Sequence, residues 1–384
     1  METSSSLCVR RATSRARDAA RAATELAAGL GDLSQASVLL FSSADRDLDQ
    51  LARELASHLG PTQIVGCTTS GEIAETGYLD DGIVALALGA PDFHVAAERI
   101  DNLSSFNMAD GSELVRRALR RLERAAPDLG RSHIFALLLI DGLSMAEEAV
   151  VSSLHSVLGE IPLFGGSAGD DLKFKATHIL HDGAFRENCA VLIMVATPHP
   201  FQVFKTEHFS NAEEKMVVTE ADPARRIVTE INGEPAAREY ARVVGMPLDE
   251  LTPMIFAAHP VVVRVGGMNF VRSIQKVNDD ESLTFFCAID EGIVLTVARA
   301  KDIADDLERQ FAALHHDLGP LQLVIGCDCI LRLLEIKQRH LTDRVGSILS
   351  ANKVFGFSTF GEQFQAMHVN QTFTGVAIGR LPPP

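Results

Sequence analysis

The chain has 384 residues, of which 46% are hydrophobic and 22% charged, so it can bury the core of a large globular protein, and two domains are expected. Acidic residues outnumber Lys and Arg by 51 to 35, and the net charge of −16 disfavours binding to nucleic acid and anionic lipid surfaces. The longest apolar runs, at 134–140 and 190–196, are far shorter than the roughly 20 residues of a membrane span. No membrane span is therefore expected.

The first predicted element is an amphipathic helix in the arginine-rich N-terminal segment. Arginines are spaced there among Ala and Ser, and no apolar run follows them as it would in a secretory signal. We therefore expect a cytoplasmic protein. The arginines are Arg10, Arg11, Arg15, Arg17 and Arg21.

The six cysteines are scattered through a chain that is too large to need disulfides for stability, so reduced thiols are expected. Cys327 and Cys329 form a C-x-C pair, but no second pair accompanies them. Structural zinc normally takes four ligands from two such pairs. We interpret Cys327 and Cys329 as a buried strand end.

Three copies of one unit, made of a strand, a helix, a second strand and a Gly-rich turn, follow along the chain. Each turn has the form G-x-[S/T]…G-[E/D], and we call these segments the first turn (66–72), the second turn (165–170) and the third turn (356–362). The predicted strand, helix and strand with turn lie at 38–41, 45–59 and 64–72 in the first copy, at 134–140, 145–158 and 163–170 in the second, and at 321–325, 329–349 and 354–362 in the third.

Further predicted elements flank the copies. An apolar strand follows each copy, and the segment between the second and third copies is rich in β-strand residues around one helix at 236–244. We therefore predict an α/β fold of internally repeated βαβ units that form mixed sheets, with a β-rich (α+β) insert in the C-terminal half. The predicted domains are residues 37–231 and 232–379.

The three turns are the first candidate for a binding site. Glycine permits close backbone approach, and Ser or Thr hydroxyls beside free amides can hold a polar or anionic ligand. None of the turns matches a Walker loop or a dinucleotide fingerprint, and glycine after a strand is often only turn chemistry. If the three repeats pack around one pseudo-symmetric centre, the turns converge on one pocket. The candidate residues are Gly66, Thr68, Thr69, Gly71, Glu72, Gly166, Ser167, Gly169, Asp170, Ser358, Thr359, Gly361 and Glu362.

These turns also carry a resemblance to a known family. The run G-C-T-T-S-G-E at 66–72 resembles the signature of the FIST N-terminal domain, and G-F-S-T-F-G-E at 356–362 resembles that of the FIST C-terminal domain. Segments at 141–148, 164–171, 271–280, 325–329 and 367–379 resemble the NosP-type subgroup. The resemblance implies a non-enzymatic bacterial signalling sensor that binds haem and nitric oxide. It further implies a separate histidine kinase as partner, and an influence on biofilm behaviour through that two-component system.

A haem in this chain would be haem b, held without covalent bonds, because the sequence has no C-x-x-C-H motif. Its axial ligand is left open by the residues. His178 lies in the first strand of a predicted hairpin, His368 follows the third turn, and His259 precedes an apolar strand. Arg264 and Arg272 flank a predicted hairpin turn, so both are candidates for one face that binds the propionates. His181, beside the Asp182-Gly183 turn, is expected to be exposed.

Three other interpretations stay open beside the haem sensor, and one of them is a purely structural adaptor protein. A FIST module that senses a small polar metabolite, such as an amino acid, fits the hydroxyls and carboxylates of the turns equally well. An enzyme with Cys67 as nucleophile is disfavoured, because Gly166 and Phe357 replace that cysteine in the other two copies. We therefore expect no catalytic activity. The sequence leaves homo-oligomer formation open.

Overall fold

The computed structural model describes residues 8–206, 208–265 and 268–381, and it contains the predicted repeat three times. The elements of the first repeat are β1 (Val9–Ser14), α1 (Ala19–Leu30), β2 (Ala36–Ser43), α2 (Leu48–Leu59), β3 (Gln63–Thr69), β4 (Glu72–Ala74), β5 (Gly77–Leu79) and β6 (Ile83–Gly89). Those of the second are β7 (His94–Asp101), α3 (Met108–Ala125), β8 (Ile134–Ile140), α4 (Glu147–Leu158), β9 (Leu163–Ser167), β10 (Ile179–His181), β11 (Ala184–Arg186) and β12 (Cys189–Ala196).

The third repeat is interrupted after its first strand, β13 (Phe201–Thr206), by the β-rich insert. The insert contains β14 (Phe209–Asp222), β15 (Ile227–Ile231), β16 (Glu234–Pro235), α5 (Ala236–Val244), α6 (Pro253–Ala258), β17 (Val261–Val265), β18 (Met268–Arg272), β19 (Ile274–Val277), β20 (Leu283–Phe285) and β21 (Val294–Ala300). The third repeat resumes with α7 (Ile303–Leu318), β22 (Leu323–Cys329), α8 (Ile330–Gln338), α9 (Thr342–Ala351), β23 (Val354–Thr359), β24 (Glu362–Phe364), β25 (Met367–Val369) and β26 (Phe373–Ile378). The predicted domain division between residues 231 and 232 falls inside the insert and stays a prediction.

Two predicted helices differ from the observed ones. Arg10 and Arg11 lie in strand β1, and the first helix begins only at Ala19, where the side chain of Asp18 accepts a hydrogen bond from the Arg21 amide. The helix predicted over 329–349 is split into α8 and α9 by His340, which adopts a left-handed conformation with φ 56°. The first prediction was wrong in placing Arg10 and Arg11 on the helix, whereas the largely helical character predicted for 329–349 is confirmed in two pieces.

Three six-stranded mixed sheets form the core of the fold, and each sheet takes a hairpin from another repeat. Their strand orders are β1-β6-β2-β3-β10-β11, β25-β24-β9-β8-β12-β7 and β13-β26-β22-β23-β4-β5. Hairpin β4–β5 of the first repeat therefore joins the third sheet, β10–β11 joins the first, and β24–β25 joins the second. This cyclic exchange gives the three repeats a pseudo-threefold arrangement, and the predicted fold class is confirmed.

The inner faces of the three sheets share one hydrophobic core, which we call the central core. Phe41 of β2 lies 4.3 Å, ring centre to ring centre, from Phe357 of β23, and Phe135 of β8 packs against Phe164 of β9. Helices cover each outer face: α1 and α2 on the first sheet, α3 and α4 on the second, α7 and α9 on the third. Among the described residues, every helix is too short or too polar to cross a bilayer.

The insert forms its own antiparallel sheet in the order β18-β17-β21-β14-β15-β20-β19, with β16 paired to β15. Its core includes Tyr240 and Phe256, whose rings lie 5.7 Å apart. The insert leaves and rejoins the third repeat at one point, because the amide of Lys301 donates to the carbonyl of His208 at 2.7 Å. The two connections to the insert are therefore adjacent.

Candidate functional site

The three Gly-rich turns meet at the centre of the molecule and are hydrogen-bonded to one another. All their residues are buried. The turns pair through their backbones, as edges of neighbouring strands do. The bonds run from Ser70 N to Ser358 O (3.0 Å), Ser358 N to Gly71 O (2.7 Å), Ser167 N to Gly361 O (2.8 Å), Phe360 N to Ser167 O (3.3 Å) and Gly169 N to Thr68 O (3.0 Å).

The glycines of the turns permit this close packing. A methyl group on Gly166 would lie 2.6 Å from Thr359 Cγ2 and 2.8 Å from Phe357 Cζ. On Gly169 it would lie 2.2 Å from Ser70 Oγ. These distances are shorter than van der Waals contact, so a side chain at either position would collide with the neighbouring turn. Glycine therefore lets the turns pack this closely.

Two of the turns end in a buried glutamate with the same bonding. Glu72 accepts from the Thr69 hydroxyl at 2.6 Å and from the Gly82 amide, ten residues later, at 2.9 Å. Glu362 accepts from the Thr359 hydroxyl and from the amide of Thr372, again ten residues later, at 3.2 Å. Each carboxyl therefore fixes the loop that leads into the last strand of its repeat. Burial raises the pKa of both side chains to about 8, against the opposing effect of these hydrogen bonds.

In the second repeat, two aspartates share the role that one glutamate has in each of the other repeats. Asp170 accepts from three backbone amides of the loop that follows it, at 2.7 to 3.1 Å. The amide before the last strand, at Asn188, instead donates to Asp141 at 2.6 Å. The carboxylates of all three turns thus organise loops, which is a structural role.

The two buried glutamates predict a loss of stability at alkaline pH. Their folded-state pKa of about 8 lies above the ordinary value of 4.5, so the folded state binds protons that the unfolded state has released. The stabilisation is complete below pH 4.5 and is lost as the pH rises through 8. Denaturant unfolding measured across this range should show a falling free energy of unfolding. Glu72→Gln/Glu362→Gln, which mimics the protonated acids, should flatten that fall; an unchanged slope would contradict the assignment.

The three candidate haem ligands lie in three different places. The imidazole of His178 faces the Glu187 carboxylate, with Nε2 3.4 Å from Oε1. His259 ends helix α6 in the insert and is half-buried. His368 lies in β25 and is only 4% exposed. His181, which the sequence predicts to be exposed, is buried at 7% exposure because its hairpin is inserted into the first sheet.

The two arginines predicted for the propionates do not share a face. They do lie in the two strands of the predicted hairpin, β17 and β18. However, Arg272 pairs with Val261, which is three residues from Arg264 along β17, so the two side chains leave opposite faces. Arg264 is exposed and Arg272 is half-buried. The expectation that both line one surface is therefore wrong.

Beside the third turn lies a set of buried polar side chains that we call the polar cluster: Gln363, His368, Asn370 and Gln371. These residues are 0 to 4% exposed. Several of their polar atoms have no hydrogen-bond partner among the residues that the structure describes. The atoms are Gln363 Oε1, His368 Nε2, Asn370 Nδ2, Asn370 Oδ1 and Gln371 Oε1.

Two of these atoms converge on one point of the third turn. A methyl group on Gly361 would lie 2.7 Å from His368 Nε2 and 2.8 Å from Asn370 Nδ2. The other imidazole nitrogen, Nδ1, lies 3.4 Å from Gln363 Nε2, which also donates to Ser167 Oγ at 3.0 Å. A buried polar atom left without any partner costs about 1–3 kcal/mol, so these atoms call for a bound polar molecule, either water or a ligand, beside them.

The insert closes the polar cluster from the other side. Gln371 donates to the carbonyl of Phe256 in α6 at 3.2 Å, and strand β18 packs against β25. Two further buried atoms without a partner in the described parts of the chain, Arg272 Nε and Ser273 Oγ, lie at the end of β18. The polar cluster is therefore at the boundary between the central core and the insert, where small-molecule sites often occur.

In the first repeat, the residue at the position pseudo-symmetric to His368 has a hydrogen-bond partner within the protein. The ten-residue spacing from Glu72 to Gly82 and from Glu362 to Thr372 aligns Tyr78 with His368. The Tyr78 hydroxyl donates to Asp328, which also accepts from Arg332 Nε at 2.6 Å. The protein itself thus satisfies Tyr78 but leaves Nε2 of His368 unpartnered.

The polar cluster does not fit a haem on His368. An axial imidazole must point a nitrogen into an apolar cavity that admits a porphyrin. Nε2 of His368 instead lies against the backbone of Gly361 and beside the Asn370 amide, and a methyl group on Gly361 would be 2.4 Å from the ring carbon Cε1. The backbone of the third turn occupies the side on which the porphyrin would lie.

Comparison with known proteins agrees with the repeat and with the turns. The FIST N domain matches residues 36–234, and the FIST C domain matches residues 236–365. The chain is also similar to an uncharacterized protein of Methanocaldococcus jannaschii, with 21% identity over 308 residues that cover 75% of this chain and 58% of that protein. The chain thus matches less than two thirds of that relative's length. It belongs to the FIST family, whose domains are signal-transduction sensor modules, and it carries a FIST N domain followed by a FIST C domain.

Proposed function

We propose that this protein is a non-enzymatic sensor that binds a small polar molecule, such as an amino acid, at the polar cluster. The observation that carries the proposal is the group of unpartnered buried atoms on His368, Asn370 and Gln371. These atoms include both donors and acceptors, so they complement a ligand that carries both kinds of group. Membership of a family of sensor modules supports binding rather than catalysis.

The output of the sensor is proposed to reach a separate signalling protein, for which a histidine kinase is our candidate. The position of the polar cluster supports a conformational output, since a ligand there contacts both the central core and the insert. A small ligand changes a protein's conformation only if it binds one state better than the other. A site between two separately folded sheets meets that condition.

Asn370→Leu is expected to stabilise the ligand-free protein while abolishing binding. Asn370 is 0% exposed, and both of its amide atoms lack a partner among the described residues, so an apolar side chain removes a desolvation cost of about 1–3 kcal/mol. Denaturant unfolding of wild type and variant measures the gain. A destabilised variant would show that Asn370 has a structural partner, which contradicts its role as a ligand-binding residue.

A thermal-shift screen of small polar metabolites tests the proposal directly. A ligand of the folded state raises the melting temperature with its concentration. We expect at least one hit on wild type that is lost in Asn370→Leu and kept in Gln338→Leu, which changes an exposed side-chain amide at the end of α8. Hits that are shifted equally in all three proteins would place binding elsewhere.

Haem with nitric oxide as its ligand is our second candidate. It rests on the resemblance of several segments to the NosP-type subgroup, and His259 is our candidate ligand because its half-buried imidazole lies outside the packed third turn. The exposed Arg264 is our candidate partner for a propionate, and the iron of such a haem would take up nitric oxide. A haem titration followed at the Soret band should lose its saturable phase in His259→Ala; equal spectra for variant and wild type would reject this site.

A further inference from the structure

A buried arginine, Arg226, ties the insert to the second repeat. Arg226 is 6% exposed and adopts a left-handed conformation with φ 55°. Its guanidinium contacts Glu147 Oε2 at 2.7 Å and Glu148 Oε2 at 2.6 Å, both at the start of α4. The same guanidinium donates to the carbonyl of Phe286 within the insert at 2.6 Å. Arg226 therefore ties two strand connections of the insert to one helix end of the core.

Glu148 completes this contact and also lies next to the polar cluster. Its second oxygen, Oε1, accepts from the Ala288 amide of the insert at 2.7 Å. Helix α4, which carries Glu148, packs against β25, which carries His368. Burial alone would raise the pKa of Glu148, but electrostatic interactions with the neighbouring His368 and Arg226 side chains outweigh it, so the pKa is lowered. The carboxylate is thus stabilised from both sides of the boundary.

We infer that Glu148 couples ligand binding in the polar cluster to its own contacts with Arg226 and Ala288, so that a ligand beside His368 changes how tightly the insert is held. This inference rests on the proposed function for the identity of the site. The contact formed by Glu147, Glu148, Arg226 and Ala288 is called the latch below.

The physical basis is that Glu148 lies between the insert and the polar cluster, because α4 packs against β25. A polar ligand bound beside His368 changes the electrostatic environment of Glu148, whose two oxygens are both bonded to the insert. By linkage, a change in the latch must alter ligand affinity by the same factor, which is about 5 to 150 for ordinary allosteric coupling. The latch is thus the element whose two states the ligand can distinguish.

The two connections between the insert and the core lie beside α8, whereas the latch lies at the start of α4. They meet at His208 and Lys301, and they are fixed to α8 because His208 Nε2 lies 2.7 Å from Glu335 Oε2. Arg339, also on Glu335, reaches the Lys301 carbonyl at 3.3 Å. The insert also packs on the core through α6 against α8 and through Phe286, whose ring lies 5.7 Å from Phe174 and 6.1 Å from Phe360. Weakening of the latch is therefore expected to loosen the insert locally, at residues 285–289, rather than to release it as a body.

Hydrogen exchange of the full chain, read by mass spectrometry, tests this inference without a known ligand. The Ala288 amide is bonded to Glu148, so peptides that cover residues 285–289 report the latch directly. We expect Arg226→Gln to speed exchange there about tenfold or more, since it removes a charge from a buried pair. His368→Gln should speed it about fivefold through Glu148. Exchange in β8, at the centre of the second sheet, serves as the measure of intact folding.

The control is Arg242→Gln, which removes an exposed arginine that pairs with Glu239 and Glu214 within the insert. It should leave residues 285–289 unchanged. If exchange of residues 285–289 is unaltered in Arg226→Gln, the latch is overturned. If exchange there is altered in Arg226→Gln but not in His368→Gln, the link between the latch and the polar cluster is overturned. If Asn370→Leu binds ligands like wild type while both latch variants respond as expected, the link stands and the proposed function fails.

Discussion

Gly356→Ala is expected to lower the free energy of unfolding by about 3 kcal/mol or more. A methyl group on Gly356 would lie 1.9 Å from the carbonyl oxygen of Gly326 on the paired strand, which is backbone and cannot rotate away. The same contact recurs in the other repeats, at 1.7 Å from Gly66 to the Leu40 oxygen and at 2.2 Å from Gly165 to the Leu138 oxygen. Denaturant unfolding monitored by circular dichroism measures the loss.

Gly130→Ala is the matched control for this prediction. Gly130 has an ordinary φ of −81°, and a methyl group there meets no atom within 4 Å. Its substitution should leave stability unchanged or raise it by about 0.4–1 kcal/mol through the unfolded state. If Gly356→Ala were as stable as Gly130→Ala, the first glycine of each turn would have no packing role.

Arg332→Met is expected to lower the free energy of unfolding by about 3–5 kcal/mol. Arg332 is 1% exposed, its Nε donates to Asp328 at 2.6 Å, and its Nη1 lies 3.0 Å from His208 Nδ1. Removal of the guanidinium leaves the carboxylate of Asp328 buried with only the Tyr78 hydroxyl as a side-chain partner among those described. Denaturant unfolding of wild type and variant measures this loss of free energy.

A second substitution separates the loss of the pair from the loss of packing. Asp328→Leu combined with Arg332→Met replaces both charges by apolar groups, which is often neutral relative to the original pair. The double variant should therefore recover much of the stability lost in the single one. A double variant that is less stable than Arg332→Met would show that the apolar replacements, rather than the lone carboxylate, cause the loss.

The repeated architecture was predictable because its signals are local. Strand β8 and helix α5 have the predicted bounds, since both are apolar or amphipathic runs with clear ends. The exchange of hairpins was not predictable, because β4, β5, β24 and β25 are three residues long and carry no periodicity. Strand order depends on which repeat packs beside which, and that is decided by the shared core.

The candidate site was predictable only in part. His368 stands out beside the third turn, whereas Glu148 and Arg226 are 78 residues apart and meet only through the fold. Arg264 and Arg272 show the limit of reasoning from a hairpin turn, because one residue of register decides which face a side chain takes. The spacing from Glu72 to Gly82, repeated from Glu362 to Thr372, was the available signal that aligns Tyr78 with His368.

Native mass spectrometry of protein purified from cells tests the binding role of the polar cluster most directly. Wild type should carry a small polar molecule in a one-to-one ratio, released on denaturation, and Asn370→Leu purified in parallel should carry none. The same bound mass in wild type and variant would contradict a binding role for the polar cluster. So would the absence of ligand from both proteins after incubation with the metabolites that shift the melting temperature.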